Sequence, residues 1–296
     1  MLYLPESMAP CRGDYTMEML QNAEKNGATL TACCTLCSEK HDLTVSLGCA
    51  EGIIPREEAA IGIREGAVRD IAILSCVGMP VSFQVTEIPE SGPVLLSRRA
   101  AQEQALSRLL AMKAGDILPA VVTNLTEFGA FCDVGCGVPA LMGMENISVS
   151  RIRHAADRLQ LNQPIYAVIR AIDPARRRIF LSHKELLGTW AENAAAFSQG
   201  QTVTGIVRSC QDYGTFVELA PNLSGLAETT LPLSPGDGVS VYIKSIIPET
   251  LKIKLVVLKK LPSPPEKPPL RYFFTGRHID RWRYGSEKAP KCVTVF

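Results

Sequence analysis

Apolar and polar side chains alternate with period two along short stretches of this chain, and the stretches are separated by Gly, Pro, Asn or Asp. GDILPAVVTNL from Gly115, QPIYAVIRAI from Gln163 and RRRIFLSHK from Arg176 are three of them. Successive side chains on a strand face opposite ways, so this pattern predicts half-buried strands. The same series recurs as GQTVTGIVRSC from Gly200, DGVSVYIKSI from Asp237 and LKIKLVVLK from Leu251. Each copy has room for about five strands in roughly 65–75 residues, a size at which a small β-barrel closes. A fainter copy lies upstream in NGATLTACCTL, HDLTVSLGCAEGIIPREE, MPVSFQVTEI and GPVLLSRRAAQ. Its Ser97, in LLSRRAAQ, precedes Ser182, in FLSHKELL, by the same interval that separates Gly115 from Gly200. Self-similarity at a fixed spacing marks a tandem array. The predicted fold is therefore all-β: three tandem five-stranded barrels.

Two segments break the alternation. Residues 100–113 and 184–198 are rich in helix formers and predict short linker helices. LPSPPEKPPL, from Leu261, is too rich in proline to continue a sheet. The expected organisation is an N-terminal segment 1–26, a degenerate barrel 27–99, a linker helix 100–113, and a barrel 114–183. A second linker helix 184–198, a barrel 199–260, and a proline-rich linker with a tail over 261–296 follow.

Within the two clear copies, TEFGAFCDV (126–134) and QDYGTFVEL (211–219) repeat one phrase. The interval from Phe128 to Tyr213 equals that from Phe131 to Phe216, and it is again the interval between the two glycines that open the copies. Rings three apart on a regular strand point away from each other. A β-bulge at the intervening Gly129 or Gly214 would bring each pair onto one face. Paired rings on an open sheet face form a stacking platform for unpaired bases, worth about 1–3 kcal/mol per base. Burial in the barrel core is the competing reading for any single ring; the duplication of aromatic-Gly-x-Phe beside Glu127 and Asp212 favours the platform.

Composition narrows the class. Hydrophobic residues make up 46% and charged residues 21%, an ordinary globular balance. No apolar run approaches the roughly 18 residues of a membrane span. MLYLPESMAPCRGDY has no basic stretch ahead of an apolar one, so no secretory signal and a cytoplasmic location are expected. In that setting the ten cysteines read as reduced thiols. Cys33, Cys34, Cys49, Cys76, Cys132 and Cys210 lie in apolar or strand-like runs, where a thiol packs as a small hydrophobe. The net charge of +1 conceals a gradient. Residues 1–113 hold 10 basic and 14 acidic side chains, and residues 262–296 hold 7 and 3. A polynucleotide would have to be held by local patches, not by a bulk field.

The aromatic-Gly-Ala-Phe phrase after an alternating strand, the glycine-bearing turn and the closing Arg-Ile-x-Leu-Ser resemble the RNA-binding domain named after small-subunit ribosomal protein S-one, a five-stranded OB barrel. The resemblance is strong over 114–187, good over 199–258 and weak over 27–99. The arrangement is similar to the short form found in Gram-positive anaerobes. The resemblance implies a binding face of two aromatics, a turn His, and an Asp and an Arg near the last strand. Phe128, Phe131, Asp173 and Arg178 match in copy two, while the His position falls on Gly143. Tyr213 and Phe216 match in copy three, with Lys252 in the Arg position, Glu228 in the His position and Pro248 or Glu249 in the Asp position. An acidic side chain on a phosphodiester's path weakens binding, so copy two is expected to bind more tightly. In copy one the aromatic slots fall on His41 and Thr44. The resemblance implies that this degenerate copy docks to protein, typically on the ribosome.

Basic side chains fit that division. Arg176, Arg177 and Arg178 form one cluster, Arg151, Arg153 and Arg158 a second, and Lys244, Lys252, Lys254, Lys259 and Lys260 a third. Cations beside stacking rings hold phosphates, so affinity should fall with salt. The expected RNA-binding residues are Phe128, Phe131, Asp173, Arg177, Arg178, Tyr213, Phe216, Lys252 and Lys254. Cys34-x-x-Cys37 reads as strand packing, since zinc needs two further ligands and only His41 and Cys49 are near. His154 and His183 read as surface residues with no nucleophile or carboxylate dyad beside them. No phosphate-loop or dinucleotide glycine motif is present, so neither a cofactor nor an enzyme activity is expected. Trp190 is expected to wedge the second linker helix onto a barrel. RYFFTGRHIDRWRYGSEKAP interleaves arginines with aromatics, and its expected role is packing against copy three or a partner, with RNA contact as the alternative. The expected function is single-stranded mRNA binding in translation at the small ribosomal subunit. A non-catalytic subunit of an RNA-processing or decay assembly is the alternative.

Overall fold

The computed structural model describes residues 3–263, 265, 270–286 and 291–296. Fifteen strands close into three five-stranded barrels. Barrel one contains β1 (Leu30–Cys37), β2 (Leu43–Ser46), β3 (Glu51–Ile54), β4 (Pro80–Glu87) and β5 (Val94–Ser97). Barrel two contains β6 (Ile117–Thr126), β7 (Gly129–Asp133), β8 (Pro139–Gly143), β9 (Pro164–Asp173) and β10 (Arg178–Ser182). Barrel three contains β11 (Thr202–Gln211), β12 (Gly214–Ala220), β13 (Leu223–Glu228), β14 (Gly238–Ile247) and β15 (Lys252–Lys260). In each, the third strand pairs parallel with the fifth and the remaining pairs are antiparallel, as in an OB barrel. Alternation fixes the interior: Ala130 and Cys132 of β7 are buried while Phe131 between them is not, and Thr215, Phe216 and Val217 of β12 repeat the pattern.

The hairpins that carry the aromatics differ from the bulge expected at the glycines. Thr126 pairs with Gly129, so Glu127 and Phe128 form a two-residue turn and Gly129 opens β7. Gln211 pairs with Gly214 in the same way, leaving Asp212 and Tyr213 in the turn. The bulges lie on the opposing strands, between Val122 and Asn124 and between Val207 and Ser209. Gly129 serves a different purpose: a Cβ there would collide with the backbone carbonyl of Met142 on β8, and its φ is +155°. At Gly214 (φ +143°) a Cβ would sit 3.0 Å from the Ala227 carbonyl oxygen.

Among the described residues five α-helices link and cover the barrels: α1 (Met17–Asn26), α2 (Ile71–Leu74), α3 (Arg98–Leu110), α4 (Met144–Ile147) and α5 (Trp190–Ala194). α3 begins at Ser97, whose hydroxyl accepts from the Ala100 N–H. The helix expected over 184–198 shrinks to α5, because Gly188 at φ +85° interrupts it and Thr189 starts afresh with a capping box to Glu192. Trp190 is buried in barrel three's core cluster, as expected. Cys34, Cys76 and Cys132 enter cores, whereas Cys49, in the loop between β2 and β3, and Cys210, near the end of β11, face solvent. Among the described residues no helix is long and apolar enough to cross a membrane, and no three metal-ligating side chains converge.

Two buried carboxylate–guanidinium networks join the barrels. At the first junction the Glu6 carboxylate accepts from Arg98 Nε (2.8 Å) and Nη2 (2.6 Å) and from the Ser82 N–H, while the Glu6 N–H donates to Asp133 Oδ2 at 2.7 Å. Burial, and then the Glu6 charge, push Asp133 up to about 7 against its backbone hydrogen bonds. At the second junction Arg158 donates to both oxygens of Glu218 (2.6 and 2.8 Å), and Arg208 adds bonds of 2.8 and 3.1 Å. Asn222 accepts from the Val149 N–H across the same contact. Arg158 is therefore not part of a solvent-facing cationic cluster; Arg151 and Arg153 remain exposed. Its charge is consumed by Glu218, a partner far along the chain that sequence proximity does not reveal.

The tail folds back over barrels two and three. β16 (Arg281–Arg283) and β17 (Val293–Val295) make a hairpin, and Trp282 and Tyr284 enter barrel three's core cluster. The Ile279 N–H donates to the Gly115 carbonyl and the Ile117 N–H to the Arg277 carbonyl, so the tail also pairs along barrel two. It contacts His183, whose Nε2 lies 3.2 Å from the Tyr272 hydroxyl. His183 is fully buried, contrary to the surface position expected for it, because the returning tail covers it. Burial, then the Arg158 charge, lower its pKa to about 4. Part of the proline-rich linker (264 and 266–269) lies outside the described residues.

Replacing Glu218 with Ala leaves two guanidiniums without their carboxylate, and denaturant unfolding should show about 3–5 kcal/mol lost. Acid should loosen the same junction in two stages. The lowered His183 pKa means the unfolded chain takes up a proton that the folded one refuses, so stability falls from about pH 6.5 to 4. Burial opposes ionisation of Glu218, but bonds from Arg158 and Arg208 outweigh it and hold its pKa below the ordinary value. Its contribution is present above about pH 4.3 and is lost below that. Thermal melts from pH 8 to 3.5 check both signs as differences between wild type and His183→Gln or Glu218→Gln, because Asp133, with its pKa raised to about 7, acts in the opposite direction over the upper stage. Gly129→Ala should destabilise by about 1–3 kcal/mol and Gly214→Ala by less, because the first would drive a Cβ far inside contact with the Met142 carbonyl while the second meets backbone only at 3.0 Å.

Candidate nucleic-acid interface

Turn position and strand parity place both ring pairs on the outside. Phe128 is 59% exposed at its hairpin tip and Tyr213 is 67% exposed at the equivalent tip. Their partners, Phe131 and Phe216, are partly buried on the outward faces of β7 and β12. Ring centroids are 6.0 Å apart in the first pair and 6.2 Å in the second, with interplanar angles of 88° and 87°. Each pair is thus an edge-to-face unit with one ring held against the sheet and the other projecting.

Strand register extends the pairs into belts. In barrel two, Asn124, Phe131, Leu141, Phe180 and Ala171 are successive cross-strand neighbours on β6, β7, β8, β10 and β9. In barrel three the same row is Ser209, Phe216, Leu226, Lys254 and Ser245. In barrel one it is Leu36, Thr44, Ile53, Leu95 and Glu87. Two belt members of barrel two, Leu141 and Phe180, are not among the residues expected from sequence. The signal for them is the alignment of the last strands, which sets Phe180 opposite Lys254. It is weak because Ile179, Phe180 and Leu181 in RRRIFLSHK read as a continuous apolar run.

The expected polar residues separate into two groups. Arg178 is exposed at the start of β10 beside its strand partner Asp173, whose Oδ1 accepts from the Arg176 N–H at 3.0 Å. Lys252 and Lys254 are exposed on β15, Lys254 within the belt. Arg177, at φ +54°, points instead to α3 and ion-pairs with Glu103. Gly143, in the place of the family's histidine, faces Gly129 across the ladder, and a Cβ on it would meet Glu145 Oε1 at 2.6 Å. The Glu145 carboxylate thus occupies that space in barrel two. Glu228 is exposed at the end of β13 in barrel three. In barrel one His41 occupies the hairpin turn, 3.6 Å from Asp70, and Thr44 faces outward, so no ring pair forms there.

Comparison with known proteins matches the S1 RNA-binding domain to residues 112–184. Over 205 residues the chain is 33% identical to small ribosomal subunit protein bS1 of Leuconostoc lactis, covering 63% of this chain and 47% of that protein. Over 267 residues it is 29% identical to small ribosomal subunit protein bS1 of Staphylococcus aureus (strain COL), covering 84% of this chain and 65% of that protein. The chain therefore spans about half to two-thirds of the length of these relatives. Among solved structures, the crystal structure of the a/eIF2alpha-aDim2p-rRNA complex from Pyrococcus horikoshii OT3 is similar at 24% identity and a TM-score of 0.25, covering 29% of this chain and 51% of that one. Residues 112–184, the central barrel, thus match the S1 RNA-binding domain, and most of the chain is similar to small ribosomal subunit protein bS1.

Proposed function

We propose that this chain is a non-catalytic, cytoplasmic binder of single-stranded RNA that acts in translation, on or beside the small ribosomal subunit. The observation that carries this reading is the exposed edge-to-face ring pair, present at equivalent hairpin tips of two barrels. Every base has a π-face, so such rings accept unpaired nucleotides with little regard to sequence. A duplex hides those faces, which sets the preference for unpaired strands. Arg178 beside Asp173 in barrel two, and Lys252 and Lys254 in barrel three, supply phosphate contacts. Arg177 contributes only if Glu103 releases it. The bS1 relatives support the ribosomal setting.

Barrel one takes a different part. Its belt is largely aliphatic and has no ring, while Leu36 is 53% exposed. An aliphatic belt neither stacks bases nor neutralises phosphates, and it suits contact with protein on the small subunit. The two RNA-binding barrels, joined covalently and docked through Glu218, gain from effective concentration on one strand.

Fluorescence anisotropy with single- and double-stranded RNA oligomers at two salt concentrations tests the proposal. Single-stranded RNA should be preferred and bound more weakly at the higher salt. Phe128→Ala with Phe131→Ala should weaken binding by roughly 5- to 150-fold per lost stack, and Tyr213→Ala with Phe216→Ala by less. Unaltered affinity in both folded double variants would refute the stacking mechanism.

A further inference from the structure

We infer that Phe180 is a third base-stacking residue of barrel two, lengthening its RNA track by one strand beyond Leu141. This rests on the proposed RNA-binding reading and specifies where the bound strand runs. Three observations carry it. First, Phe180 is the Cα partner of Leu141, which is the partner of Phe131, so all three share one row across β7, β8 and β10. Secondly, they share one face: Ile179 and Leu181, on either side of Phe180, are core members, whereas Phe131, Leu141 and Phe180 are each only partly buried. Thirdly, the corresponding side chain differs in kind among the barrels, being Lys254 in barrel three and Leu95 in barrel one.

The geometry suits a strand crossing the sheet. Neighbouring strands are about 4.8 Å apart, so Phe180 stands roughly 10 Å from Phe131 across the sheet. Leu141 fills the interval with an apolar floor on which a base can rest. The Phe128–Phe131 pair closes one end of this track and Phe180 the other, with Arg178 on the same β10 face two residues before it. In barrel three the ammonium of Lys254 takes the place of the second platform, so that position holds a phosphate and not a base. The two barrels therefore divide the work at this position: barrel two adds stacking, which salt leaves unchanged, and barrel three adds charge, which salt screens.

The test uses the full chain and a fluorescein-labelled oligouridylate of roughly 12 nucleotides, within the span of OB-fold sites. Phe180→Ala should weaken binding about 5- to 150-fold and leave the salt slope unchanged. Phe180→Leu, which keeps the apolar floor and protects the fold, should lose stacking in the same direction. Phe180→Lys should steepen the salt slope by about 0.7, and Lys254→Phe should make it shallower by about 0.7, the increment for one phosphate contact on a single strand. Wild-type affinity in folded Phe180→Ala and Phe180→Leu, with the Phe128→Ala/Phe131→Ala variant weakened, overturns the third platform and leaves the parent reading standing. If the Phe128→Ala/Phe131→Ala variant also binds as wild type, the parent reading falls with it.

Discussion

A closed five-stranded barrel has interior space for only every second side chain, and this parity governs the whole molecule. Ala130, Cys132, Ala140 and Met142 fill the inside of barrel two, so Phe131 and Leu141 have to stand outside. The outward row is consequently free of packing demands. It carries rings in barrel two, a ring and an ammonium in barrel three, and aliphatic side chains in barrel one. One scaffold thus presents three surfaces of different chemistry while its core stays uniform. Gly129 completes the arrangement, since the tight approach of β7 to β8 lets the hairpin tip project Phe128 beside Phe131.

The junctions follow a second regularity. Asp133 and Glu218 lie two residues beyond Phe131 and Phe216 and occupy equivalent outward positions, and both are buried by the preceding part of the chain. The Glu6–Arg98 pair seals the first site and Arg158 with Arg208 the second. A charge buried in this way is tolerated only when its partners are present and well aligned, which makes each contact demanding of geometry. The edge of each aromatic face is thereby fixed relative to the barrel before it. The tail strengthens the second junction by pairing with barrel two and burying Trp282 and Tyr284 against barrel three.

Much of this is legible in the residues. Period-two alternation discloses the strands, and the constant interval between matching glycines, aromatics and serines discloses the tandem copies. The repeated aromatic-Gly-x-Phe phrase singles out Phe128, Phe131, Tyr213 and Phe216. The linker helix expected over 100–113 is present but shifted, running as α3 over Arg98–Leu110 from the Ser97 cap. The hairpin turn passes for a bulge in the sequence, since both devices place a glycine beside an aromatic and differ only in which residue pairs across the ladder.

The sequence by itself determined which side chains face in and which face out, because that depends on local parity and on the hydrophobic effect acting on near neighbours. Only the tertiary structure decided which outward groups remain free. Arg158 is captured by Glu218, Arg177 by Glu103, and His183 lies beneath a tail that returns from the far end of the chain. It also decided that Phe131 and Phe180 lie in one row, since register between β7, β8 and β10 joins segments from opposite ends of the barrel's sequence. Contacts of that kind arise from the closure of the barrels and the docking of one upon another, and no local pattern of residues encodes them.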